Sequence, residues 1–73
     1  MSERLEFAVH ILNNDGIGKA QELATSFSTF LDEIEAIAGH EGRYMAIVRT
    51  KLEEASFYAK KAMASRPENQ REP

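Results

Sequence analysis

Cysteine and tryptophan are absent from this chain of 73 residues, and proline occurs only at Pro67 and Pro73. Without cysteine there is no disulfide framework and no thiolate metal site, and the composition fits a reducing compartment. The two histidines, His10 and His40, stand far apart, with no ligand-type spacing to a carboxylate cluster. No apolar run approaches the roughly 20 residues that span a bilayer. The N-terminus lacks the basic-then-apolar pattern of a signal peptide, so neither membrane insertion nor export is expected. A net charge of −3 argues against broad binding to DNA or to an anionic membrane, and leaves room for a local basic pocket. So short a chain forms one small domain. With disulfides excluded and no metal-ligand spacing, self-association is the remaining source of extra buried area.

What is there is helical periodicity. In the stretch from Arg43 to Ala64 the apolar residues Met45, Val48, Leu52, Ala55, Ala59 and Ala62 recur at alternating spacings of 3 and 4. That spacing puts one seam along one helix face. Neither glycine nor proline interrupts the stretch, and most of its residues are good helix formers. A first helix is expected from about Asp15 to Ala38, with Ala20, Leu23, Phe27, Phe30, Ile34 and Ile37 as its seam and with Ala24 and Leu31 widening the stripe. Between the two, Gly39-His-Glu-Gly42 suits a helix C-terminus and a tight connection. The expected fold is therefore all-α, an antiparallel two-helix hairpin. Phe27, Phe30, Leu31, Ile47, Phe57, Tyr58 and Met63 exceed what one partner helix can cover, so further copies are expected to complete a homo-oligomeric helical bundle.

The ends read differently. Residues 1–14 form an N-terminal arm and turn: Phe7, Val9 and Ile11 alternate as in a strand with no partner strand, and Asn13-Asn-Asp-Gly16 is a turn cluster able to cap the following helix. Residues 15–65 are the hairpin domain. Residues 66–73 are polar, contain both prolines, and read as a disordered tail.

Catalytic constellations are missing from the pattern. Asn-Asp-Gly-Ile-Gly-Lys19 lacks the spacing of a phosphate loop, so Gly16 and Gly18 read as turn and helix-start glycines. Lys19, in the first helical turn, reads as a solvated lysine or as a cation meeting an anion near exposed amides. Thr25, Ser26, Ser28 and Thr29 form a polar strip, either a solvent face or a contact for a polar ligand between subunits. Glu53 and Glu54 point about 100° apart on a helix; Glu53 is expected to pair with Arg49 four residues earlier. Asp32, Glu33 and Glu35 fit a solvated face or partners for basic groups on another helix. Phe57 and Tyr58 read as oligomer core, although the same aromatic faces would stack a nucleobase. No enzyme activity is expected.

The stretch Gly42-Arg-Tyr-Met-Ala-Ile-Val-Arg-Thr-Lys-Leu-Glu-Glu-Ala-Ser-Phe-Tyr-Ala-Lys-Lys-Ala-Met-Ala64 resembles the second helix of the small phage proteins that sponge cyclic nucleotide signals, the anti-CBASS and anti-Thoeris sponges built on one helical-hairpin domain. Its core is Thr50-Lys-Leu-Glu-Glu-Ala55, followed by an aromatic pair and Ala59, and Phe7-Ala-Val-His10 is similar to the family's Phe-x-Tyr-His arm. The resemblance covers most of residues 7–65. It implies a hexamer assembled as a trimer of dimers, acting without catalysis or cofactor in the host cytoplasm. Such a hexamer sequesters cyclic dinucleotides, cyclic trinucleotides or a glycosyl-cyclic ADP-ribose, so that an immune effector stays off. It also implies ligand contacts at five positions: Phe7 or His10 for base stacking, Lys19 for phosphate, and Ser26 and Arg66 for a trinucleotide. Val9 stands where the family's arm carries a stacking Tyr, and Leu12 lies near the place of its usual proline. The rival reading is a structural or protein-interaction hairpin that binds a partner's helix.

Overall fold

In a computed structural model that describes residues 10–72, the chain is helical. α1 spans Asn14–Ala38 and α2 spans Arg43–Ala64, and a short 3-10 turn follows at Pro67–Asn69. There is no strand among the described residues; a single antiparallel bridge joins Leu12 to Gln70. α1 begins where Asn13, in extended backbone, turns its side-chain Oδ1 onto the Gly16 N–H at 2.8 Å. This cap satisfies an otherwise orphaned amide, and Asp15 in the first turn complements the helix dipole. α1 ends at Gly39, whose φ of 85° is left-handed, and Gly42 enters α2 with φ 100°. Both glycines sit where a side chain would strain the backbone, so the connection turns within four residues. The hairpin, its connection and its helix boundaries agree with the spacing and glycine signals.

The seam differs from the heptad reading. On α2 the seam withdrawn from water runs through Met45, Val48, Leu52, Ser56, Ala59 and Met63, with Arg49, Lys60, Lys61 and Ala64 partly covered beside it, whereas Ala55 and Ala62 are exposed. On α1 it runs through Gly16, Ala20, Leu23, Phe27, Leu31 and Ile34, with Gly18 and Glu35 partly covered and Phe30 and Ile37 left outside. Each of these sets averages about 3.6 residues per step, the pitch of a straight helix. The alternating 3-4 pattern averages 3.5 and drifts around a straight helix by about 20° per heptad. Two short, straight helices follow the first period and leave the second on a flank.

The seam is thin. Met45, at 5 % exposure, is the one buried hydrophobic residue among those described. The Cα atoms occupy a slab of 47 × 25 × 11 Å with a radius of gyration of 15.4 Å, against about 11 Å for a compact domain of this length. A thickness of one helix means a single layer, and stable domains bury their apolar stripes between two. Arg49 reinforces the connection end: its guanidinium donates to Glu35 Oε2 at 3.0 Å and to the His40 carbonyl. The expected pairing of Arg49 with Glu53 is thus replaced by a bridge between helices, in which Glu35 partners a basic group on the other rod.

The open end is closed by the segment expected to be disordered, a further correction. Asn69 is 1 % exposed, the one buried polar residue among those described. Its carbonyl accepts from the Asn13 N–H at 2.9 Å, and Arg71 N–H donates to the Ile11 carbonyl at 2.8 Å. The tail therefore pairs with residues 11–13, the end of the arm. Asn13 Nδ2 also donates to the Glu68 and Gln70 carbonyls, at 2.8 and 3.2 Å. Composition marks this segment as polar and proline-containing. What orders it is a set of hydrogen-bond partners more than fifty positions away along the chain.

Candidate ligand groove

The slab has two broad faces, and helical geometry assigns residues to each. On one face a groove of about 280 Å³ is lined by Lys19, Glu22, Leu23 and Ser26 from α1 and by Ala59 and Met63 from α2. An adjoining hollow of about 270 Å³ runs from Ser26 to Phe27 and Phe30. Lys19, Glu22, Ser26 and Phe30 follow one another at spacings of 3 and 4, so they form a row: cation, carboxylate, hydroxyl, aromatic ring. On the opposite face a groove of about 350 Å³ carries Arg49, Glu53, Lys60, Ser28 and Ser56 at its rim.

Lys19 and Ser26, both singled out from the sequence, therefore share a wall. The Lys19 ammonium donates to Asn69 Oδ1 at 2.7 Å. Lys19 is exposed, as the solvated reading has it, and its ammonium is in addition held by a neutral amide; no carboxylate among the described residues lies within ion-pair distance of it, although its charge reaches Glu68. Asn69 Nδ2 donates in turn to the Met63 carbonyl at 2.9 Å, tying the end of α2 to the same cluster.

Arg66 does not line the groove. It precedes the 3-10 turn, and its guanidinium lies 2.8 Å from Glu68 Oε2. The Glu68 carboxyl is held below its ordinary range, first by a hydrogen bond from its own backbone N–H and then by the charges of Arg66 and Lys19, with desolvation opposing. His10 is half-buried just ahead of the paired segment. Phe7 and the remainder of the arm, with its alternating Phe7 and Val9, lie outside the described residues. Asn69 is the position that linear reading missed. Nothing local distinguishes it from any asparagine in a polar tail; its role arises only when the tail docks.

Of the apolar residues left outside the seam, Phe30, Ile37, Tyr44, Ile47 and Tyr58 share the face that carries the Lys19–Ser26 groove, whereas Ile17 and Phe57 fall on the other side. Phe30 and Ile37 flank the seam of α1 there, and Tyr44, Ile47 and Tyr58 recur along the corresponding flank of α2 at helical spacing. Ile37 is 89 % exposed and Tyr44 80 %. Phe57 and Tyr58 meet edge to face with ring centroids 5.3 Å apart, and both remain exposed.

Comparison with family models, with curated proteins and with solved structures returns no match. No helix among the described residues is long and apolar enough to cross a membrane.

Proposed function

We propose that this chain is an oligomeric sponge that self-associates through its apolar face and sequesters a small cyclic nucleotide messenger without transforming it. The ligand class is a cyclic dinucleotide or trinucleotide, or a related cyclic ADP-ribose; the assembly is a hexamer, a trimer of dimers; and the setting is the cytoplasm of a phage-infected host. The observation that carries this reading is the coincidence of two features on one face. Large apolar side chains stand in water there, next to a groove whose row of lysine, carboxylate, hydroxyl and phenyl offers a phosphate partner, a polar contact and a stacking surface, with Glu22 the like-charged group a phosphate must avoid. One hairpin supplies only one wall. Small-molecule sites enclose about 70–90 % of a ligand's surface within roughly 300–1,000 Å³, and a second copy laid on the apolar face would provide the missing wall. The likeness of residues 42–64 to the sponge hairpins supplies the ligand class.

The test has two arms. Sedimentation at micromolar concentration is expected to give a hexamer, and a compact monomer overturns the reading. Thermal melts with cyclic di-AMP, cyclic di-GMP, cyclic tri-AMP and glycosyl-cyclic ADP-ribose are expected to rise with the logarithm of ligand concentration for at least one of them. Chromatography afterwards should recover that ligand unchanged. An oligomer whose melting temperature ignores the whole panel, glycosyl-cyclic ADP-ribose included, would favour the other reading, in which the apolar face receives the amphipathic helix of a partner protein.

A further inference from the structure

The network at the open end of the hairpin is built around a side chain that no helical pattern accounts for. Asn69 uses both ends of its amide: Oδ1 accepts from Lys19 Nζ at 2.7 Å and Nδ2 donates to the Met63 carbonyl at 2.9 Å. Its backbone carbonyl accepts from Asn13 and lies so close to α1 that a Cβ on Gly16 would stand 2.4 Å from it. Beside it, Gln70 Nε2 donates to the Ala64 carbonyl at 2.9 Å, so two carbonyls near the end of α2 are satisfied by side chains of this segment. A lysine stem loses considerable rotamer freedom when it is held. A buried neutral acceptor fixes the ammonium without the ion pair that a carboxylate at the same place would make, and the Glu68 charge acts on it through space.

We propose that residues 67–70, Pro-Glu-Asn-Gln, are a strap that locks the open end of the hairpin, and that Asn69 is a positioning residue holding the Lys19 ammonium at the mouth of the groove. The groove's role as a ligand site rests on the sponge reading; the strap and its hold on Lys19 do not. The strap reaches α1 only because residue 16 lacks a side chain. It also fixes where the arm leaves the hairpin, through the pairing of Leu12 with Gln70. Docking of the tail and placement of the cation are therefore one event.

The experiment uses the full chain and three variants, Asn69→Ala, Gly16→Ala and Lys19→Met. In the parent protein, lysine-selective 15N spectra should show one ammonium whose protons exchange slowly with water, and Lys19→Met should delete that signal. Asn69→Ala removes the acceptor and Gly16→Ala displaces the strap with Asn69 intact, so both are expected to abolish the slow signal. Both should also speed amide exchange at Asn13 and Arg71 by about tenfold or more. Lys19→Met leaves Asn69 Oδ1 without its donor, so it should speed those two amides in the same direction, by less than Asn69→Ala does. Circular dichroism distinguishes undocking from unfolding, and if Asn69→Ala fails to fold, Gly16→Ala decides. A slow lysine signal that survives in Gly16→Ala, or unchanged protection at Asn13 and Arg71, overturns the proposal. With cyclic di-AMP or cyclic tri-AMP as probe, Asn69→Ala should weaken binding in the same direction as Lys19→Met. If the parent binds neither, the sponge reading fails while the spectra still decide the strap.

Discussion

The two ends of the hairpin are closed by different physics. At the connection end the chain is continuous: two left-handed glycines turn it, Met45 is buried beneath, and Arg49 brackets Glu35 and the His40 carbonyl. Yet Ile37 and Tyr44, on either side of that turn, are among the most exposed apolar residues. At the open end no covalent link helps, and the closure is made of amides, carbonyls and one lysine around Asn69. Covalent continuity lets one end leave apolar surface wet. The other end must be satisfied internally, because every polar group it buries costs free energy unless it finds a partner.

The contrast can be broken by substitution. The largest effect is expected at the connection end, where Met45→Ala removes the one buried hydrophobic side chain among the described residues and should cost about 2–3 kcal/mol, read from denaturant melts at fixed protein concentration. Next comes Asn13→Ala at the open end. It deletes the α1 cap and two hydrogen bonds to strap carbonyls together, for about 2 kcal/mol, and Arg71 amide exchange should accelerate with it. A change at Asn13 no larger than that of an exposed asparagine would mean the polar closure contributes little.

Smaller still is Arg49→Met. The Arg49–Glu35 pair is partly exposed, so about 0.5–1 kcal/mol is expected, and the difference from the parent should shrink in high salt. The smallest effect is on pH. Glu68 is held below its ordinary range by its backbone N–H, then by Arg66 and Lys19. The stabilisation it gives the folded strap is fully present above the ordinary glutamate value, and it is lost as pH falls through the lower folded value. Arg71 amide protection should therefore fall faster with acid than protection in mid-α1, and Glu68→Gln should remove that difference.

Much of the architecture was readable along the chain because it is local. Gly39 and Gly42 announce a turn whatever surrounds them, and the run from Arg43 to Ala64 has no residue that breaks a helix. The candidate groove was readable in half: Lys19 and Ser26 lie seven positions apart on one face, and the structure gives them one wall. Arg66 falls away from that wall because the chain leaves α2 just before it and turns onto α1. The choice between Ala55 and Ser56, or between Phe30 and Leu31, as seam residues depended on whether the helices coil or run straight. Apolar spacing fits either, since the two periods part by only about 20° in each heptad.

Sequence by itself determined two helices, their turn, and an excess of apolar surface over what two rods can hide, because periodicity and glycine act on neighbouring residues. Tertiary structure alone decided that the polar tail is a strap, that Gly16 must be bare, and that Lys19 is held by Asn69. Those facts come from hydrogen bonds between positions fifty and more residues apart, and a buried amide's partners exist only once the chain has brought them together.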